Sequence, residues 1–348
     1  MADRPPRDKR REAIRRWPRL RALARFGPKP EAGSRQTVKQ TPPDPIRPVH
    51  APYSGDSVPF SIGLKPLDPA DWIEPDAALP RYLTEKRRLF QAHPDLVFRQ
   101  ADDTAAAQAE VLALLADHLP ARYPDLYARE GEAIRILPTG DIVSLGADNE
   151  PALWRAAQLV QEDLVLMRRH EDGWRLAAAS LSFPSSWRLS EKFGRTLGDI
   201  HAPVPDFGPS SRAIALMARI FDNLKPELPV VRYNWTFNRT HTLYLPESEL
   251  ANREFTEASA IEAFVRVERQ TLRRLPESGD ILFTIRIHID PLAALRAHPD
   301  GAALARGFAD QLAALTPDQL AYKHMAEAKP AMIATLRRLA EEKETMAG

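Results

Sequence analysis

One histidine, His201, stands in a stretch of sequence that restricts its backbone closely, LSFPSSWRLSEKFGRTLGDIHAPVP, residues 181–205. The pattern predicts a short helix over 188–200, and Pro203 and Pro205 prevent that helix from continuing past the histidine. A neutral imidazole held by rigid backbone beside an apolar wall is suited to bind a haem iron. A protonated histidine stabilised by the dipole at a helix C-terminus accounts for the same spacing. The residues alone leave both interpretations open.

Charged and aromatic residues on the same segment also have two interpretations. Helical spacing lets Glu191 pair with Arg188 and with Arg195, which is the ordinary role of such residues on a solvated face. In the functional interpretation, a cation of this segment, which carries Arg188, Lys192 and Arg195, meets a haem propionate, and Glu191 faces a cationic amine. Trp187 is expected to lie on the apolar side of the segment.

Two predicted strands carry rows of polar side chains. The run VVRYNWTFN places Arg232, Asn234 and Thr236 on one face and aromatic residues on the other. The run FTIRIHI places Arg286 and His288 together on one face. Such a row either lines a polar pocket or faces solvent, and a single sequence does not decide between these.

Several classes of chemistry are excluded or disfavoured by what the sequence lacks. The chain has no cysteine, which excludes disulfides, thiolate-ligated haem, cysteine-held iron–sulfur clusters and a cysteine nucleophile. None of its nine histidines belongs to an H-E-x-x-H motif, G-x-S-x-G is absent, and no glycine-rich loop follows a predicted strand. A metal bound by this chain must therefore rest on nitrogen or oxygen ligands.

Hydrophobic periodicity predicts an antiparallel protein of mixed class. Helical periodicity is found up to His93, from Asp103 to Pro120, over 211–224 and again after Pro291. Turn residues between alternating runs predict hairpins at Thr139-Gly140, at Asp172-Gly173 and at 276–279. Because strands follow strands instead of alternating with helices, an α+β architecture is favoured over a doubly wound parallel sheet.

The charge of the chain is unevenly distributed. Residues 1–40 carry a balance of +9, while the rest of the chain carries −8. The first 80 residues also hold 15 of the 32 prolines, so residues 1–57 are predicted to be an extended or disordered arm. This basic arm is either a solvated tail or a contact for an anionic surface, with no specific nucleic acid indicated. Without an apolar span or a secretory signal, a cytoplasmic location is expected.

Four blocks of the sequence together resemble the haem-dependent oxidative N-demethylase family: QEDLVLM, the Phe-Pro-Ser run ending in Ile-His-x-Pro-Val-Pro, RYNWTF and LFTIRIHIDPL. The resemblance covers residues 58–330 and is followed by a predicted C-terminal helix, 331–348. It implies a PAS-like antiparallel sheet, with its core at about 131–290, embedded in helical additions. It also implies a b-type haem and oxidative removal of a methyl group from a small secondary amine such as dimethylamine. Oxygen is consumed, formaldehyde and a primary amine are released, and a separate flavin and iron–sulfur reductase supplies electrons.

The resemblance also assigns residues. His201 matches the histidine of the motif and is expected to be the axial ligand of the haem iron, with His288 as a rival ligand. The catalytic candidates are Glu191, Arg232 and Asn234. The expected cofactor contacts besides the axial ligand are Trp187, Arg188 and Arg286. A haem-binding sensor or carrier without turnover, and a scaffold docked through the basic arm, are the alternatives.

Overall fold

The computed structural model of the chain describes residues 48–55, 58–146, 150–248, 250 and 255–347. Contacts divide the chain into two units, Met1–Pro43 and Asp44–Gly348, and the described residues all belong to the second. Most of the predicted arm, residues 1–57, lies outside the described residues. The described part of the arm includes Tyr53, which is buried and stacks on the ring of Phe308 at 4.4 Å between centroids.

The strands form two antiparallel sheets within the described residues. They are β1 Lys65–Pro66, β2 Phe98–Gln100, β3 Tyr127–Arg129, β4 Ala133–Ile136, β5 Asp141–Ser144, β6 Asp163–His170, β7 Gly173–Ser180, β8 Val230–Asn238, β9 Phe264–Arg274 and β10 Ile281–Pro291. The larger sheet has the order β1-β8-β9-β10-β6-β7-β2, and the smaller one has the order β3-β4-β5. Every pairing is antiparallel, so the predicted α+β class is confirmed.

The helices surround the larger sheet and connect its strands. They are α1 Leu79–Ala92, α2 Pro94–Val97, α3 Ala105–Arg122, α4 Ala152–Ala157, α5 Leu189–Lys192, α6 Leu197–His201, α7 Arg212–Asn223, α8 Glu257–Ala260, α9 Gly301–Ala314, α10 Pro317–Tyr322 and α11 Lys329–Ala347. None of those in the described part of the chain combines the length and the apolar character needed to cross a membrane.

The three predicted hairpins are all present. Gly140 and Gly173 occupy their turns with φ of +73° and +128°, and Gly279 closes the turn between β9 and β10 with φ of +72°. Glycine is suited to these positions because it has no Cβ to oppose a positive φ. The turn chemistry of the sequence therefore sets the pairings of β4 with β5, of β6 with β7 and of β9 with β10.

Two predicted helix boundaries are wrong. α3 continues through Pro120 to Arg122, because a proline in the last turn removes only one hydrogen bond and Tyr123 N still donates to Leu119 O at 2.8 Å. The single helix predicted over 188–200 is two short helices, α5 and α6. Gly194, with φ of +75°, lies between them and turns the chain.

The two faces of the larger sheet have different coverings. We call the face that carries Glu268 and Ile285 the front face, and the face that carries Val267 and Arg286 the back face. The back face packs against α3 and α4 at one end and against α9 and α11 at the other. The front face packs against α7 and the segments that contain α5 and α6. A cavity lies on this front side.

Candidate active site

A cavity of about 660 Å³ lies between the front face of the sheet and the chain that follows β7. This volume falls within the range of sites that bind cofactors and drug-sized ligands. Much of its wall is apolar, with sheet contributions from Val165, Met167, Leu176, Leu272, Phe283 and Ile285. Among its lining residues are predicted site residues from three parts of the sequence: Trp187, Glu191, His201, Arg232 and Asn234.

His201 is the last residue of α6 and lines this cavity. Thr196 caps the helix, since its side chain accepts a hydrogen bond from Asp199 N. The imidazole Nδ1 lies 2.8 Å from Leu197 O, one turn earlier. A carbonyl oxygen only accepts, so Nδ1 carries the proton and Nε2 keeps its lone pair. Burial lowers the pKa of His201 to about 4, so the ring is neutral at pH 7. A ligating histidine in metalloproteins is held in the same way, through its other nitrogen.

Polar side chains of β8 and β9 form the floor of the cavity. In the antiparallel register Asn234 lies opposite Glu268, and Arg232 lies opposite Gln270. Glu268 Oε2 accepts hydrogen bonds from Asn234 Nδ2 at 3.3 Å and from Gln270 Nε2 at 2.8 Å. Glu268 is buried, so this carboxylate lies in the interior of the site and not at its rim.

Basic side chains surround this carboxylate. Lys323 Nζ donates to Asn234 Oδ1 at 3.1 Å and to Trp235 O at 2.6 Å, and burial lowers its pKa to about 8. The pKa of Lys192 is also lowered by burial to about 8, and its ammonium lies 4.0 Å from the centre of the Trp187 ring. Among the described residues that line the cavity, basic side chains outnumber acidic ones by four to three. The basic side chains are Lys192, Arg195, Arg232 and Lys323, and the acidic ones are Glu191, Asp199 and Glu268.

The guanidinium of Arg232 indicates the kind of ligand that this positively charged cavity is suited to bind. Its NH2 donates to Ser61 O at 3.2 Å, but its Nε is buried and has no hydrogen-bond partner among the residues that the structure describes. A buried donor without a partner is costly in a folded protein. The cavity therefore fits a largely apolar ligand that carries anionic groups.

A polar clamp fixes the chain segment that forms one wall of the cavity. The Asp163 carboxylate accepts hydrogen bonds from Ser182 N and Phe183 N, both at 2.8 Å. The fully buried Arg266 donates to Phe183 O at 2.8 Å and to Pro184 O at 3.3 Å. The carboxylate and the guanidinium together satisfy both the donors and the acceptors of a backbone that belongs to no strand or helix.

Two predicted site residues lie near the cavity but have their charged groups engaged elsewhere. Arg188 does not line the cavity, and its guanidinium pairs with Glu247 on the surface. Glu191 lines the cavity, but it is exposed and its Oε2 accepts from Arg188 N at 3.1 Å in the capping box of α5. The ion pair between these two residues that helical spacing suggested is thus replaced by a backbone cap.

The structure does not bring Arg286 or His288 to this cavity. Both lie on the back face of the sheet, because they occupy even positions of β10 whereas Phe283 and Ile285 line the cavity. Arg286 NH2 pairs with Asp76 Oδ2 at 2.6 Å on that side. Of the histidines proposed as axial ligands, His201 alone lines the cavity.

Glu268, Gln270 and Lys323 line the cavity but are not among the residues predicted from the sequence. The alternation in FVRVERQTLRR contains a signal for the first two, because it places Glu268 and Gln270 on one face of β9. The position of Lys323 follows from the packing of the turn after α10 over β8, for which the sequence has no local pattern.

The protein is of the α+β class, and its front-face cavity, with a neutral imidazole, an apolar wall and basic side chains, is suited to a cofactor that carries anionic groups. The family comparison agrees: the model of the haem-dependent oxidative N-demethylase, alpha subunit-like family matches residues 63–333. The chain belongs to this family, and the resemblance found in the sequence is confirmed. The alpha subunit in the family description also indicates that other subunits accompany such a chain.

The pKa of His201 has a consequence for stability. The folded imidazole stays neutral down to about pH 4, whereas an unfolded imidazole takes up a proton near pH 6.5, so the unfolded state binds more protons between these values. The free energy of unfolding of the haem-free protein should therefore contain a contribution of about 2–3 kcal/mol from His201 that is lost as the pH falls from 6.5 towards 4. Urea unfolding of wild type and His201→Gln at pH 7 and pH 4.5 measures this difference.

In that comparison the His201→Gln protein should lose less stability than wild type on acidification. Other buried groups such as Asp163, whose pKa is raised by burial to about 6, contribute equally to both proteins. An equal loss in the two proteins would show that the imidazole is not held neutral in the folded chain.

Proposed function

We propose that this chain catalyses haem-dependent oxidative N-demethylation of a small secondary methylamine such as dimethylamine. The observation that carries the proposal is the hydrogen bond from His201 Nδ1 to Leu197 O. This bond leaves Nε2 unprotonated, with a lone pair that can bind a metal, on the wall of a cavity of about 660 Å³. In this proposal residues 58–330 form the catalytic domain around a PAS-like core, and the cofactor is haem b.

The residues present fit such a cofactor. Nε2 of His201 would bind the haem iron, the apolar wall would cover the porphyrin, and the ammonium groups of Lys192 and Lys323 would neutralise its propionates. Trp187 keeps its predicted role as a cofactor contact, since it lines the cavity beside Lys192. When bound, haem supplies the reduction of O2 and the oxidation of the N-methyl carbon.

The chain's own contribution is to bind and orient the amine. A secondary methylamine is an ammonium ion at neutral pH, and the buried Glu268 is the carboxylate on the cavity floor that would accept its N–H group. We assign this role to Glu268 in preference to Glu191, whose Oε2 caps α5. Of the other predicted catalytic residues, Asn234 donates to Glu268 and fixes the direction of its Oε2, and Arg232 lies opposite Gln270 on the same floor of the cavity.

The overall reaction balances with an external electron donor. The N-methyl amine, O2, two electrons and two protons give the carbinolamine and water, and the carbinolamine then breaks its C–N bond to release formaldehyde and the primary amine. Return of the ammonium proton to the leaving nitrogen through Glu268 would assist that last step. Because this chain has no cysteine, we assign the electrons to a separate flavin and iron–sulfur reductase.

The test of this function is a product balance. Purified chain loaded with haem, supplied with an electron donor, O2 and dimethylamine, should form formaldehyde and methylamine in equal amounts. Haem binding without amine-dependent oxygen uptake, in the presence of a competent reductase, would contradict the proposal and favour a haem sensor or carrier.

The substitution Glu268→Gln tests the substrate site. Loss of a charge-assisted hydrogen bond of about 1.5–3 kcal/mol should raise the KM for dimethylamine roughly 10- to 100-fold, while the haem absorption spectrum stays unchanged. The matched control is Glu191→Gln, which should change KM less than about threefold because that carboxylate caps a surface helix. A larger increase of KM in the Glu191 variant than in the Glu268 variant would show that Glu191, and not Glu268, binds the amine.

A further inference from the structure

A second group of potential ligands lies on the back face of the sheet, away from the cavity. His50, Glu74 and His288 each offer one ligand atom, and these atoms lie within 4.8 Å of one another. His50 Nε2 is 2.8 Å from Glu74 Oε1, and His288 Nε2 is 4.0 Å from Glu74 Oε2. The three residues come from the segment before β1, the loop before α1, and β10.

His288 supplies an independent sign that a ligand belongs here. Its side chain is 7% exposed, and its Nε2 has no hydrogen-bond partner among the described residues. A buried ring nitrogen without a hydrogen-bond partner is costly, and this one lies 4.0 Å from Glu74 Oε2.

Glu74 is held as ligating carboxylates are commonly held. Arg269 Nε lies 3.0 Å from Glu74 Oε2, and the same guanidinium donates to Trp72 O at 3.1 Å and to Asp71 O. His50 Nε2 lies on the same carboxylate, 2.8 Å from Oε1 and 2.9 Å from Oε2. Carboxylates that bind metals in proteins are themselves hydrogen-bonded in this manner.

We propose that His50, Glu74 and His288 form a site for a divalent transition-metal ion of the zinc class. Two imidazoles and one carboxylate are a ligand set that Zn²⁺ uses with a water in the fourth position. Zn²⁺ bound to two imidazoles places their nitrogens roughly 3.3 Å apart, a separation that fits ligand atoms lying within 4.8 Å of one another. The positive charge of Arg286 is balanced by Asp76 at 2.6 Å, and that of Arg269 by backbone carbonyls and Glu74.

The metal would join the segment before β1 to the central strand β10, on the opposite face of the sheet from the proposed haem cavity. This inference does not rest on the proposed function. A chain that binds no haem would still have this site, and a chain that binds haem need not have it.

The test is zinc stoichiometry in the full-length protein. Metal-free protein is equilibrated with Zn²⁺ at pH 7.5, passed through a desalting column and measured by inductively coupled plasma mass spectrometry. Wild type should retain one zinc per chain. The variants His50→Ala and His288→Gln should each bind zinc more than about 100-fold more weakly, since loss of a direct ligand exceeds the cost of losing its hydrogen-bonded neighbours.

Two controls make the outcome decisive. His170→Ala, which removes an exposed histidine outside the cluster, should retain the wild-type stoichiometry. His201→Ala should retain zinc and lose the haem spectrum, whereas His50→Ala should lose zinc and keep the haem spectrum. His50 is half-buried, so its replacement tests the site even if the buried His288→Gln protein fails to fold. No zinc in wild type, or equal zinc in wild type and His50→Ala, would overturn the proposal.

Discussion

Replacing His201 with alanine is expected to weaken haem binding by more than about 100-fold. The substitution removes the Nε2 lone pair of His201 from the wall of the cavity. Losing a metal ligand lowers affinity by more than the 10- to 100-fold that follows the loss of a residue hydrogen-bonded to a ligand. Titration of haem into the haem-free proteins, followed by the Soret absorption, measures both affinities. The side chain ends α6, where it accounts for little of the helix, so the variant is expected to fold.

The matched control is His288→Gln. His288 lies on the back face and does not line the cavity, so its replacement should change haem affinity by less than about threefold. Circular dichroism confirms that each variant is folded. Loss of haem in the His288 variant with retention in the His201 variant would reverse the assignment made here.

Replacing Arg266 with methionine is expected to lower the free energy of unfolding by about 3 kcal/mol or more. The fully buried guanidinium donates to Phe183 O, Pro184 O, Leu243 O and Thr242 O, and each buried carbonyl left without a donor costs about 1–3 kcal/mol. Removing a buried charge offsets part of this cost, so the net loss is smaller than the sum. Urea unfolding of the two proteins measures the difference.

The same substitution should also weaken haem binding, because Phe183 and Pro184 form one wall of the cavity. Arg306→Met is the matched control: its guanidinium is half-exposed and pairs with Glu344, so stability should change by less than about 1 kcal/mol. An Arg266→Met protein as stable as the Arg306→Met protein would show that the wall does not depend on this clamp.

The three hairpins could be predicted from the sequence because local turn chemistry determines them, whereas the pairings of β10 with β6 and of β8 with β9 join segments far apart in the chain. Glycines at 140, 173 and 279 sit at turns with positive φ, and the alternating runs on either side can then only pair in antiparallel fashion. Alternation also predicted that Arg232 and Asn234 share a face of β8, and both line the cavity.

Which face of the sheet forms the cavity could not be predicted. Arg286 and His288 alternate as clearly on β10 as Arg232 and Asn234 do on β8, but the register puts the two pairs on opposite faces. That assignment depends on where the helices pack, which is a long-range property without a local signal. The clamp formed by Asp163 and Arg266 is long-range in the same sense, since its carbonyl and amide partners lie on distant segments.

The helix before His201 was predicted as one piece because its apolar spacing suits a single helix. The left-handed backbone of Gly194 divides it, and the second piece alone, α6, sets the direction of the imidazole. Arg188 precedes the first piece, and its guanidinium pairs with Glu247 on the surface. The motif thus singled out a histidine that lines the cavity, whereas the neighbours that His201 acquires there could not be predicted.

The most direct test of the account is rescue of His201→Gly by free imidazole. If Nε2 of His201 is the axial ligand, the variant should bind haem weakly, and imidazole added to the solution should restore the wild-type haem spectrum by occupying the space that the side chain has left. A His201→Gly protein that binds haem with the wild-type spectrum before any imidazole is added would contradict the account.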